Sequence, residues 1–196
     1  MKILYPNRIF LMRGNHETKT VNVGYDPGFM RDCVRRYGEK LGNSVWEAGQ
    51  AAFQNLPFAA SIDNSIFCTH GGLPRLLGKR PECDIVKEIK GLRVPWDQET
   101  VNYDELFSND KDGLAFDLLW SDPMHPNKSD TGNEGYPDGF GPNPRGTGPA
   151  SFSKRAVEDF LRRTGFTHII RAHEAVDVKK KKNHNNMTTL HKIRVM

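Results

Sequence analysis

The sequence predicts an α/β (α+β) chain, with short buried strands interleaved with amphipathic helices. Two observations carry this. Three apolar runs of strand length, Ile9–Met12, Ile66–Thr69 and His168–Arg171, each stop abruptly at polar residues. Between them lie longer stretches whose apolar residues recur every three or four positions. With 196 residues and 37% hydrophobic content, the chain has material for one core.

In chain order, Ile9–Met12 reads as a buried strand. Gly28–Leu41 has helical spacing (Phe29, Met30, Cys33, Val34, Tyr37, Leu41), with Gly42 as its stop. Ser44 and Glu47 form a capping box that opens a second helix, its inner face carrying Trp46, Ala52 and Phe53, until Pro57. Phe58–Ile62 and Ser65–Thr69 flank Asp63-Asn64 and read as a hairpin. Glu82–Leu92 is a weaker helix, and Gly113–Trp120 is apolar on balance. From Met124 to Pro149 the chain is dense in Gly, Pro, Asn and Asp and reads as a long loop. Ser153–Arg163 is a helix with Ala156, Val157, Phe160 and Leu161 inward and Gly165 as its stop. Residues 1–178 form the patterned domain; residues 179–196 are a basic tail without period.

The net charge is +4, from 28 Lys and Arg against 24 Asp and Glu. Lys179–Lys182 account for that excess, so the charge does not demand a nucleic-acid partner. Three widely spaced cysteines, Cys33, Cys68 and Cys83, argue for a reducing compartment. Charges and a proline within Met1–Phe10 do not suit a secretory signal, and no apolar run reaches membrane-spanning length. The expected location is cytoplasmic, with the nucleus as the alternative that the lysine run raises.

The three strand-like runs lead into Asn15, His70 and His173. Loops at the ends of buried strands converge on one rim of a layered fold. One amide oxygen and two imidazoles suit a first-row ion such as manganese, iron or zinc. His16, beside Asn15, can donate a proton to a leaving group. Arg145 and Arg13 carry planar guanidiniums that match phosphate oxygens, and Arg13 equally suits a bracing role on backbone carbonyls. Metal ligands, arginines and a proton donor together are equipment for hydrolysing a phosphate ester with a metal-bound water. Asp122, before Pro123, reads as a turn residue; Glu17 suits a cap and Glu174 a solvated charge, and neither is assigned a role.

The motifs RGNHE (Arg13–Glu17), HGG (His70–Gly72), LLWSDP (Leu118–Pro123), RG (Arg145-Gly146) and RAHE (Arg171–Glu174) resemble, in order and approximate spacing, those of the PPP-type serine/threonine protein phosphatases. The resemblance covers roughly Tyr5 to Val176. It implies the calcineurin-like metallophosphoesterase fold, a β-sandwich flanked by helices, here incomplete. It implies Asn15, His70 and His173 as ligands of the second ion of a two-metal site, His16 as general acid and Arg145 as phosphate clamp. Phosphoserine and phosphothreonine proteins are the implied substrates, and regulatory subunits the implied partners.

The chain departs from that pattern in three respects. The family's earlier GDxHG and GDxVDRG motifs do not occur, nor does its late SAPNYC-like segment, and RGTGPASFS differs from the usual RG-x-S-x-x-FG. The expectation is a partial domain whose neutral ligand set binds metal poorly and turns over slowly or not at all. The alternative reading is a non-catalytic protein that keeps a phosphatase-like surface for interactions.

Overall fold

The computed structural model describes residues 1–24, 28–96, 109–124 and 136–174. The basic tail, the domain's end at 178 and part of the expected long loop, residues 125–135, lie outside the described residues.

A 3-10 turn, Asn15–Glu17, leads into α1 (Lys19–Gly24), then α2 (Phe29–Tyr37) and α3 (Glu39–Phe53). The helix boundary falls at Gly38, not at Gly42 and Ser44 as the spacing predicts. Gly38 has φ of 77°, which glycine adopts without the Cβ penalty. Gly42 sits inside α3, where a Cβ would lie 2.5 Å from Val34 Cα, so its role is close packing against α2. Ser44 is likewise internal and returns its hydroxyl to the Lys40 carbonyl. A buried amide network ties α1 to α3: Asn22 Oδ1 accepts from Trp46 Nε1 at 2.8 Å, and Asn22 Nδ2 donates to Gln50 at 3.1 Å.

The predicted hairpin is present as β1 (Ala59–Ile62) and β2 (Ile66–Thr69). Asp63 and Asn64 have φ of 51° and 50°, a left-handed pair closed by Ser65 N donating to Ile62 O at 2.9 Å, and the pairing of Ile62 with Ile66 leaves three residues in the connection. Next come α4 (Leu76–Lys79), α5 (Ile85–Lys90) and α6 (Asp110–Trp120). Asp84 caps α5 through the Lys87 amide, and Asn109 caps α6 through the Lys111 amide. Leu114, Ala115, Phe116, Leu118 and Leu119 are all buried, so α6 runs through the core rather than along it.

Part of the expected long loop is a sheet instead. Strands β3 (Asp122–Pro123), β4 (Phe140–Asn143) and β5 (Gly146–Phe152) pair in the order β3-β5-β4. Glycine and proline density hid these strands, whose short apolar content (Phe140, Ala150, Phe152) is nonetheless buried. Helix α7 (Lys154–Thr164) is capped by Ser153, and it ends at Gly165 in the left-handed conformation, the stop its sequence predicts. The last described strand, β6 (His168–Ile170), pairs parallel to β2 and completes a sheet ordered β1-β2-β6. Phe67 and Ile169 of this sheet share one core with Phe140 and Phe152 of the other and with Phe160 of α7.

The strand expected at Ile9–Met12 is not formed. Phe10 and Leu11 are 69% and 50% exposed, and Arg13 N donating to Pro57 O is the nearest ladder-like bond. An apolar run becomes a buried strand only when a neighbouring strand and a covering layer meet it, and no such strand faces it among the described residues.

Candidate functional site

The parallel pairing of β2 with β6 creates the site. Cys68 lies opposite Ile170, so both strands end on the same edge. One further bond, Ala172 N to His70 O at 3.1 Å, carries the ladder past the strands. His70 and His173 therefore emerge side by side, their ring centroids 5.1 Å apart. His173 has φ of 68°, an uncommon conformation for a non-glycine residue of the kind found where geometry serves function. Asn15 arrives from the N-terminal turn, which Glu17 closes by accepting from the Gly14 amide at 2.9 Å. Glu17 thus serves as a cap. A Cβ on Gly14 would stand 3.0 Å from the His70 ring, so glycine permits the approach.

Asn15 Oδ1, His70 Nε2 and His173 Nδ1 form a chain of contacts at 2.8 and 3.2 Å. Donor atoms each roughly 2.1 Å from one ion and about 90° apart are separated by about 3 Å, so these spacings fit a shared divalent cation. Without the ion, His70 Nε2–H donates to the Asn15 oxygen; the other tautomer turns a lone pair toward the same point. His173 Nε2 is buried without a hydrogen-bond partner and lies 3.8 Å from Asp122 Oδ1. Among the described residues no three His, Cys, Asp or Glu side chains cluster for a metal. The converging donors are two imidazoles and an amide, a neutral set fitting one ion.

Both imidazoles are pushed down to about 4. Burial is the main cause at His70, with the charges of Arg171, His16 and Arg145 adding to it. Burial also leads at His173; Asp122 works against it, while Arg145, His70 and Arg171 add to it. The rings are consequently neutral at neutral pH. Unfolding restores an ordinary value near 6.5, so between about 4 and 6.5 the unfolded chain binds more protons. Stability should be complete above that window and decline as pH falls through it. Melting temperature against pH should show this decline, and replacing both histidines with glutamine should flatten it.

Asp122 is the hub beside the histidines. Its Oδ2 accepts from Arg145 Nε at 2.7 Å and Asn143 Nδ2 at 3.1 Å, and its Oδ1 accepts from Arg171 Nη2 at 2.9 Å. Burial opposes its ionisation, but the hydrogen bonds from Arg145 and Asn143 and the neighbouring positive charges hold the carboxyl below its usual range. The turn reading of Asp122 therefore understated it, and Glu174 is no solvated charge, because it accepts from Arg171 Nη1 at 2.7 Å. Opposite charges in the SDP and RAHE motifs were the signal for this pairing.

Arg145 is partly exposed, with Nε spent on Asp122. His16 is exposed on the 3-10 turn, close enough for its charge to weigh on His70. The expected phosphate contact by Arg13 is corrected. Arg13 is 1% exposed, with Nε and Nη2 donating to Glu17 O and Nη1 to Trp96 O, and its guanidinium lies over the Phe58 and Trp96 rings. It braces the loop that carries Asn15, which is the alternative its sequence context offers. Arg13→Met should cost about 2–3 kcal/mol, from orphaned carbonyls and lost charged hydrogen bonds, without changing phosphate affinity; urea melts and a phosphate titration separate the two effects.

A surface cleft of about 540 Å³, lined by Leu77, Pro81, Pro137 and Arg155 among others, shares no residue with this constellation. Donor convergence, not volume, locates the site, since phosphate chemistry at a shallow rim needs no enclosed cavity.

A sequence profile described as calcineurin-like phosphoesterase matches residues 1–177. The serine/threonine-protein phosphatase BSL2 of Arabidopsis thaliana is 34% identical over 176 residues, which is 90% of this chain and 15% of that protein. A solved protein serine/threonine phosphatase from Saccharomyces cerevisiae, with similarity to human phosphatase PP5, superposes with a TM-score of 0.65 at 28% identity. That superposition covers 89% of this chain and 44% of the yeast one. The chain thus spans less than half the length of either relative. The profile spans every described residue, and the mixed α/β architecture agrees with it: the chain belongs to the calcineurin-like phosphoesterase family.

Proposed function

We propose that the chain acts as a divalent-metal-dependent serine/threonine protein phosphatase. The convergence of Asn15 Oδ1, His70 Nε2 and His173 Nδ1 carries this reading. These three atoms would hold manganese, iron or zinc, in a family that uses two divalent ions. A divalent ion supplies Lewis acidity toward a phosphoryl oxygen. Arg145, anchored through Nε, keeps its terminal nitrogens for phosphate oxygens. An imidazolium N–H of His16 protonates the departing seryl or threonyl oxygen. Phosphoproteins as substrates, regulatory subunits as partners and a cytoplasmic or nuclear location belong to the same proposal. Turnover by this chain alone is expected to be slow, because no anionic ligand joins the neutral donor set among the described residues.

That same neutrality favours a second reading, a phosphatase-like binding protein. Isothermal titration of the full chain with manganese tests the first. The expected result is one site, weakened at least tenfold in a His70→Ala, His173→Ala double variant. Equal binding by wild type and double variant would sink the metal assignment. Manganese-stimulated phosphate release from a phosphoserine peptide marks the enzyme, and peptide binding without release marks the binding protein.

A further inference from the structure

The β2–β6 ladder closes with Ala172 N donating to His70 O at 3.1 Å, so beyond that bond something other than backbone pairing must hold the histidine-bearing loops in place. Arg171 is placed to do so. Its side chain is 11% exposed, and its fork reaches the loop after β2, strand β3 and its own segment after β6. Nε donates to Gly71 O at 2.5 Å, beside His70. Nη1 donates to Glu174 Oε2 at 2.7 Å, beside His173. Nη2 donates to Asp122 Oδ1 at 2.9 Å, and the other oxygen of that carboxylate holds Arg145. Arg171 is hydrogen-bonded to none of the three donor atoms.

We propose that Arg171 is a positioning residue that sets the separation of His70 and His173 and the presentation of Arg145. The inference rests on the phosphoesterase reading above for its purpose, though not for its geometry. A planar guanidinium fixes three directions at once, whereas a lysine ammonium on a flexible stem does not. Groups standing behind metal ligands in this way typically change metal affinity by about 10–100-fold when removed.

The test compares the full wild-type chain with Arg171→Met, Arg171→Lys and the control Arg163→Met. Arg163 is as enclosed as Arg171, at 12% exposure, and donates to the Leu77 and Cys83 carbonyls and to Asp159. Two quantities are read: the nuclear Overhauser contact between the His70 and His173 rings without metal, and the manganese dissociation constant. Both Arg171 variants should lose the ring contact and bind manganese about 10–100-fold more weakly. Arg163→Met should lower the melting temperature and keep both readouts. Folded Arg171 variants with the wild-type ring contact and affinity would overturn the proposal, as would loss of the ring contact in Arg163→Met. Should Arg171→Met not fold, Arg171→Lys decides by the same readouts. Should the wild type bind no manganese, the phosphoesterase reading fails, and the ring contact still decides the role of Arg171.

Discussion

Asp122→Ala should destabilise the chain by roughly 3–5 kcal/mol, the usual penalty for removing one partner of a buried ion pair. The carboxylate is 6% exposed and serves Arg145, Arg171 and Asn143 together. Alanine would leave the enclosed Arg171 guanidinium with Glu174 as its remaining carboxylate, and would free Arg145 from its anchor. The loss is larger than the attraction of the pair itself, because it includes buried donors that lose their acceptor. Asp122→Asn keeps the volume and one acceptor, so it should cost less. Urea-unfolding curves measure both. A cost under about 1 kcal/mol for Asp122→Ala, typical of exposed pairs, would mean that the charge network does not hold these loops together.

Gly71→Ala should be comparably damaging, at about 3 kcal/mol or more. A Cβ there would lie 2.5 Å from Trp120 N, 2.6 Å from Leu119 C and 2.9 Å from Leu119 O. All three are backbone atoms of α6 and cannot rotate away. Gly71 N also donates to Leu118 O at 2.8 Å, so the loop is pinned against the helix end. Relief of the clash would push the His70 loop off the core, and manganese affinity should fall with stability. Gly72→Ala, whose Cβ would meet the Phe152 ring, is a useful comparison because that neighbour is a side chain. If Gly71→Ala melts like the wild type, the packing of that loop against α6 is looser than these distances imply.

Local signals were legible in the sequence wherever an element depends on its own residues. The Asp63-Asn64 turn and the Gly165 stop were readable because each is a property of a few adjacent side chains. The helix boundary near Gly38 was missed because two stop signals competed, and Gly42 proved to be a packing glycine. The strands at Phe140–Asn143 and Gly146–Phe152 were missed because turn-forming residues dominate them and their pairing is with each other. The strand at Ile9–Met12 was predicted from apolar content and fails because strand formation needs a partner.

The same division governs the site. Residue types and their order supply the inventory: an amide, imidazoles and guanidiniums, in an order that a phosphoesterase profile matches. Long-range contacts set how that inventory is used. Arg13 became a buried brace, because the Glu17 and Trp96 carbonyls and two aromatic rings enclose it. Asp122 became a hub, because Arg145 and Arg171 reach it from positions 23 and 49 residues away. Residue type sets what a side chain can donate or accept; which partner it meets depends on long-range pairing of strands, which no local stretch of sequence contains.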